Sequence, residues 1–321
     1  MINLKNGCKQ IRSAGMKRMI LLSILLFLPD LFHAKAVSCP KVVNYSIQAV
    51  LHPDDKIIKG TEHVTWKNTL DEPVSNLQFH LYLNAFLNTQ STFMQDVLHS
   101  EKYGMLLSSI KNDGWGYCQI DSISAADTDL RQSLTYRHPD DGNTNDRTVF
   151  EVQLPAPVNP GKTVTVYIQF TSKLPRNMPR TGFIDNLFFA GQWYPKIGVL
   201  EDDGWNCHQF HLASEFYADY GDYKVELTVP SEYVVGATGV ITDSMALDEK
   251  WTTYYIEQTC IHDFAWTAWP DYRVAEYDFE TDDLPPVKMR LLYTPENKKY
   301  IDDYFDAAVN TLEHLGVWYI P

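Results

Sequence analysis

Apolar and polar residues alternate with a period of two along most of this chain beyond its first 36 residues, the pattern of strands that bury one face. Leu77, Phe79, Leu81 and Leu83 alternate with Gln78, His80 and Tyr82. Phe150, Val152 and Leu154 alternate with Glu151 and Gln153, residues 155–162 supply a Pro/Gly turn, and Val164, Val166, Ile168 and Phe170 resume beyond it. Val225, Leu227 and Val229 form another strand that Pro230 stops. Further strands are expected over residues 45–52, 62–68, 252–258 and 287–293. Most of these runs are short and bounded by turn residues, as in sandwiches and open barrels.

Two stretches break the alternation. Residues 127–147 are polar and hold five Asp, which reads as a surface loop or long hairpin. Residues 297–317 switch to helical spacing. Ile301, Tyr304, Phe305, Ala308, Leu312 and Leu315 share one face, acidic Asp302, Asp303 and Asp306 stand early, and Gly316 is placed to cap the end. A helix with an apolar face needs something to bury it. Its arrival at the end of a β chain points to the start of a second domain that the sequence does not complete.

The N-terminus departs from the pattern. Lys17 and Arg18 precede a ten-residue apolar run, Met19 to Leu28, interrupted only by Ser23, and Ala34-Lys35-Ala36 follows as a small-x-small cleavage pattern. The run is too short to span a bilayer, which takes roughly 20 apolar residues. Residues 1–36 therefore read as a signal peptide, and the chain as exported to a periplasm or the exterior. A competing site is Cys39 after Ala36-Val37-Ser38, which would give a lipid-anchored protein, although Ala36 stands where a lipobox carries Leu. Membrane association is expected only through that route.

Export changes the charge balance. The 27 Lys/Arg and 41 Asp/Glu lose six and one with the signal segment, leaving 21 basic and 40 acidic residues, a net charge of −19. Nucleic acid, which demands basic patches, is excluded as a partner. Cys39, Cys118, Cys207 and Cys260 would remain, an even number that permits disulfides. Pairing of Cys207 with Cys260 is one possibility. No spacing among them is metal-like.

No self-contained catalytic motif is present. None of the ten His is followed by Glu, so the H-E-x-x-H helix of zinc peptidases is absent. G-x-S-x-G, P-loop and G-x-G-x-x-G patterns are absent as well. His208 and His211, with Glu215 nearby, would face opposite ways on a strand and could not converge on one ion. His262 and Asp263 could be read as a catalytic pair, but HDFAW more simply ends a strand. No catalytic and no metal-binding residue is therefore assigned.

The densest aromatic segment, residues 188–223 (FFAGQWYPKIGVLEDDGWNCHQFHLASEFYADYGDY), is expected mostly to pack between sheets. Within it Gln192 and Tyr194 flank Trp193 and would share a face if the segment were a strand.

Several ordered pieces resemble the aminopeptidase N family of zinc metallopeptidases, which also includes leukotriene hydrolase. Residues 60–84 (GTEHVTWKNTLDEPVSNLQFHLYLN) are similar to its opening strands. Gly191-Gln192-Trp193-Tyr194-Pro195 lies where members carry a Gln-containing substrate loop. Residues 215–230 (EFYADYGDYKVELTVP) and 262–266 (HDFAW) resemble a bacterial branch, and the closing helix resembles the first helix of the catalytic domain. The resemblance implies a mainly β fold, a saddle-like multi-stranded β-sandwich over residues 37–296, followed over 297–321 by the first helix of a thermolysin-like catalytic domain. It implies zinc in the full-length protein, none bound by this chain, and peptide substrates reached through the missing domain. In the family the loop helps hold the substrate α-amino group. Gln192 matches its first position, while Tyr194 replaces the usual second Glu or Gln and brings no charge. Gln192 and Tyr194 are the expected substrate-binding residues. The alternative reading is an exported β-sandwich that binds peptides or glycans without catalysis.

Overall fold

The computed structural model describes residues 39–101, 114–176, 178 and 180–319. Residues 1–38, with the expected signal segment 1–36, lie outside that range. In chain order the strands begin with β1 (Val43–His52), β2 (Ile57–Lys67) and β3 (Val74–His80). Helix α1 (Thr92–His99) separates them from β4 (Tyr117–Ala125), β5 (Thr128–Asp129), β6 (Thr135–Tyr136), β7 (Val149–Val158) and β8 (Thr163–Lys173). The short strands β9 (Gly182–Ile184), β10 (Leu187–Ala190), β11 (Lys196–Ile197), β12 (Val199–Glu201) and β13 (Gly204–Asn206) follow. Then come β14 (Gly221–Pro230), β15 (Val234–Ala237), β16 (Val240–Ala246), β17 (Trp251–Ile261) and β18 (Trp266–Trp269). A ribbon of β19 (Arg273–Phe279) and β20 (Val287–Tyr293) leads to helix α2 (Ile301–Tyr319).

These strands form a mainly β, multi-sheet sandwich. One eight-stranded sheet has the order β16-β17-β14-β1-β2-β8-β4-β5, antiparallel except where β1 runs parallel to β14. Two four-stranded sheets, β15-β18-β10-β9 and β11-β3-β7-β6, share a core with it. The period-two alternation explains the large sheet directly: Val43, Tyr45, Ile47, Ala49 and Leu51 of β1 point inward while Asn44, Ser46 and Gln48 face out. In β2, inward-facing Gly60 sits opposite Phe170 of β8, and a Cβ there would lie 2.2 Å from the Phe170 ring. The glycine makes room for an aromatic ring in the sheet's inner surface.

Several sequence expectations are corrected. Alternation holds through Phe79, but residues 82–86 form a 3-10 turn rather than a continued strand, and Leu81, Tyr82, Leu83 and Asn84 are all buried. The cause is tertiary. The Asn84 side chain accepts from Cys118 N and donates to the Arg147 carbonyl, so a polar residue is satisfied inside. Residues 155–158 extend β7, and the turn is confined to 159–162; β7 and β8 then enter different sheets. Residues 127–147 are mostly loop, with the two-residue strands β5 and β6 and a 3-10 turn inside it. Helix α1, unforeseen from periodicity, starts where Ser91 Oγ accepts from Met94 N. Gly316 does not cap α2 but lies within it, where a Cβ would come 2.9 Å from Leu284.

The cysteine expectation also changes. Cys39 pairs with Cys260, while Cys207 is free and buried, as is Cys118. Cys260 follows the irregularity in the β14–β17 register, at φ +59°, which turns it toward the segment entering β1. Cys207 instead packs beneath Gly198, where an added Cβ would meet its sulfur at 3.0 Å. Burial pushes the Cys118 thiol up to about 12 and the Cys207 thiol well above its ordinary value.

Candidate functional site

The segment singled out by sequence forms the junction of all three large sheets. Strand β10 ends at Ala190, the chain turns through residues 191–195, and β11 then joins the sheet of β3 and β7. Gln192 and Tyr194 are not on a strand, so they do not share a face in the way alternation predicts. Gln192 adopts a left-handed conformation, φ +54°. Gly191 before it has no room for a side chain, since a Cβ would lie 2.3 Å from the Arg180 carbonyl oxygen. Such a turn in a non-glycine residue carries a conformational cost that the surrounding contacts must offset.

Those contacts converge on Asp263, in the crossover from β17 to β18. The Gln192 amide nitrogen donates to Asp263 Oδ2 in a short hydrogen bond, and Lys196 Nζ donates to Gln192 Oε1 at 2.8 Å. Lys196 also pairs with Asp263 Oδ1 at 2.8 Å. The Tyr194 hydroxyl donates to the same Oδ1 at 2.9 Å, and the Phe264 backbone N–H donates to it at 2.8 Å. Tyr194 and Tyr223 hydroxyls lie 3.0 Å apart, and Tyr45 stacks on Tyr223 with ring centroids 4.6 Å apart. Trp193 points the other way, into the core, donating its indole N–H to the Phe264 carbonyl.

Burial sets the electrostatics. Lys196 is 1% exposed and Tyr194 2%, whereas the Asp263 side chain retains 27%. Burial lowers the Lys196 ammonium from its ordinary range, and Asp263 opposes that shift. The Tyr194 and Tyr223 phenols are raised well above their usual value, first by burial and then by the Asp263 charge, so both remain protonated. The chemistry of the partners fixes the Gln192 amide: Lys can only donate and a carboxylate can only accept, so the carbonyl faces Lys196.

Beside Gln192 lies a small aromatic hollow with room for about one water, walled by Tyr82, Phe86, Phe210 and Phe216, with Arg180 at its exposed side. The Arg180 guanidinium stands over the Phe216 ring and pairs with Glu215 at 2.6 Å. Behind it, His80 and Tyr82 stack with ring centroids 4.4 Å apart. Neither His80 nitrogen nor the Tyr82 hydroxyl has a hydrogen-bond partner among the described residues. Burial lowers the His80 imidazole and raises the Tyr82 phenol.

Other sequence candidates separate. The two His211 ring nitrogens lie 3.1 Å from the Asp96 carboxylate and 3.3 Å from that of Asp140, which places the 207–216 segment against α1 and the 138–146 loop. The His208 ring bonds the Gln209 carbonyl instead, and Glu215 faces Arg180. Among the described residues no group of three or more His, Cys, Asp or Glu side chains is placed to hold one metal ion. His262 and Asp263 also diverge: His262 bonds the Ala218 carbonyl and stacks on Tyr220. Asp263, which the sequence placed more simply at the end of a strand, is the hub of the cluster. Lys196 was not singled out at all, although a lysine between Pro195 and two apolar residues on an otherwise buried stretch was a signal. The aromatics that suggested a ligand platform are mostly core: Phe188 and Trp193 are fully buried, and Phe189 alone among 188–194 is exposed.

A wider depression lies elsewhere, on the outer face of the eight-stranded sheet, lined by Gln48, Thr61, Asp121, Thr171, Glu226 and Thr228 among others. Many of its polar groups bond one another, as in Gln48–Glu226 and Thr171–Asp121.

No protein-family model matches the chain, and no curated protein matches it in sequence. Its solved structural neighbours are M1 zinc metallopeptidases. One from Deinococcus radiodurans aligns at 13% identity with a TM-score of 0.48. A mutant of that enzyme bound to a Tyr-Ser-Ala substrate aligns at 14% and 0.49, and a two-domain M1 metallopeptidase mutant bound to L-arginine at 14% and 0.49. Each alignment covers 79% of this chain and 48% of the other, so the chain spans about half the length of the structures it matches.

Proposed function

We propose that this chain is the N-terminal β-domain of an exported zinc metallopeptidase and that it lends Gln192 and Tyr194 to a peptide cleft whose zinc is held by downstream sequence. The observation that carries this reading is the placement of the Gly191–Pro195 motif. Its Gln192 is forced into a left-handed turn, locked by Lys196 and Asp263, and borders an aromatic hollow. In this reading Gln192 faces substrate. Tyr194 stands behind it and acts by holding Asp263. Zinc, when bound in the full-length protein, would polarise the scissile carbonyl and activate water; this chain's residues would orient the peptide. The Cys39–Cys260 disulfide supports an oxidising, extracytoplasmic setting. It also occupies the sulfur that a lipid anchor would need.

The test compares residues 37–321 with a version extended by the downstream coding sequence. The expected result is that the extended protein alone binds one zinc and hydrolyses peptides. Gln192→Ala in it should raise KM by about tenfold, the loss of one or two hydrogen bonds to substrate. Stoichiometric zinc and peptidase activity in the short chain would overturn the reading, and an extended frame with neither would leave the non-catalytic peptide- or glycan-binding module.

A further inference from the structure

We propose that the cleft between Trp205 and the 137–142 loop binds an acidic sugar, with a pyranose ring laid on the indole and its carboxylate on Arg137. The site shares no residue with the peptidase reading and stands apart from it.

The cleft has a volume of about 490 Å³, within the roughly 300–1,000 Å³ of small-molecule sites. Gln78 of β3, which alternates with buried Leu77 and Phe79 and so faces away from the core, lines it. Trp205 of β13 supplies one part of the wall, and Tyr136, Arg137, His138 and Gly142 supply another. These parts are held from behind. Gln209, fully buried and four residues beyond Trp205, donates its backbone N–H to Asp140 Oδ2 at 2.6 Å and its side-chain amide to Asp141 Oδ1 at 2.8 Å. It also accepts from Asp140 N. Trp66 packs against the Trp205 indole, with ring centroids 5.6 Å apart. The walls therefore need little ordering when a ligand arrives.

The carboxylates around the cleft are engaged, while its donors are not. Asp140 and Asp141 serve Gln209, and Glu151 beside Gln78 accepts from the amides of Asn76, Gln78 and Gln153. Arg131, Arg176 and Arg180 each pair with a carboxylate, but exposed Arg137 has no such partner among the described residues. Arg147 has none either and lies over the Tyr136 ring, 4.3 Å from its centroid. In a chain of 41 acidic and 27 basic residues, two guanidiniums without carboxylates mark a place for an anion. The Trp205 indole N–H and the Gln78 side-chain carbonyl likewise make no hydrogen bond among the described residues.

These groups select the ligand class. A guanidinium takes a carboxylate through two parallel N–H bonds, and a half-buried indole takes an apolar C–H face. A free N–H and a free carbonyl beside them suit hydroxyls, which both donate and accept. A pyranose bearing a carboxylate answers all three. A simple carboxylate lacks the face and the hydroxyls, and a neutral sugar leaves Arg137 unpaired.

The experiment is calorimetric titration of the full chain with D-glucuronate and with digalacturonate, beside the neutral methyl ester of digalacturonate and acetate. The acid sugars are expected to bind with a Kd of about 1 mM, the ester at least about tenfold more weakly, and acetate not at all. Arg137→Gln, at an exposed position, should leave the melting temperature unchanged and bring the acid down to the level of the ester. Trp205→Ala should abolish binding of both. Should Trp205→Ala fail to fold, Arg137→Gln decides the question alone. Equal binding of acid and ester, acid binding untouched by Arg137→Gln, or no saturable binding of either acid sugar up to about 20 mM overturns the proposal. Acetate bound as tightly as the acid sugars overturns it too, since the cleft would then be a plain anion site.

Discussion

Glu62 shows how much a single inward position can cost. It lies on β2 between inward-facing Gly60 and Val64, is fully buried, and neither carboxyl oxygen has a hydrogen-bond partner among the described residues. Burial alone drives its pKa well above the ordinary 4.5. The folded state therefore keeps a proton that the unfolded chain releases. Stability is fully present below about pH 4.5 and is lost as pH rises from there toward the folded value, at most ~1.4 kcal/mol per pH unit for one proton. Glu62→Gln should remove that slope, so the stability difference between variant and wild type grows as pH is raised from 4 to 7 in denaturant titrations. Parallel curves would show that the carboxyl reaches water. At the neighbouring site, Gly60→Ala drives a methyl into the Phe170 ring and should cost about 1–3 kcal/mol by overpacking. Thermal unfolding of the variant measures it, and a shallower loss would mean that Phe170 can swing aside.

At the scale of elements, α1 illustrates local chemistry that periodicity overlooks. Its eight residues are too few to be stable alone, and its start is fixed by the Ser91 side chain, which accepts from Met94 N and donates to the Ala85 carbonyl at 2.6 Å. Ser91→Ala should destabilise the fold by about 1–2 kcal/mol, because it removes the cap and leaves a buried carbonyl unpaired. A denaturant midpoint unchanged from wild type would refute that role. The other end of the chain shows the converse. The β19–β20 ribbon and α2 pack through Tyr277 on Phe305, with centroids 5.4 Å apart, and through Leu284 against Gly316. Tyr300, Tyr304 and Leu315 of this region stay exposed.

At the scale of the whole molecule, the disulfide joins the segment before β1 to the end of β17, 221 residues away, across the intervening strand β14. Closing so long a loop restricts the unfolded chain, which stabilises the fold by about 2–5 kcal/mol. Cys260→Ser should lower the melting temperature, and added reductant should lower it equally in wild type but leave the variant unchanged. If neither changes the midpoint, the β1 ladder alone holds the N-terminus. Asp263 is the corresponding device inside: it ties the 191–196 turn to the crossover between β17 and β18. Asp263→Ala would strand a buried ammonium and should cost about 3–5 kcal/mol, read as a loss in the urea midpoint.

The sequence by itself determined five strands of the large sheet, β1, β2, β8, β14 and β17, because their alternation between a buried and a solvated face is written residue by residue, as in Tyr45, Ile47 and Ala49 against Ser46 and Gln48. It also determined the closing helix, through its 3.6-residue spacing. Where both faces are buried the code fails: residues 81–86 keep an alternating look but coil into a 3-10 turn, since Tyr82 and Asn84 find partners inside. Only the tertiary structure decided which cysteines pair, because Cys39 and Cys260 meet through strand order and not spacing. It alone brought Lys196 to Asp263, 67 positions apart. A buried charge is intelligible only with its partner in place, and that partner is chosen by how three sheets meet.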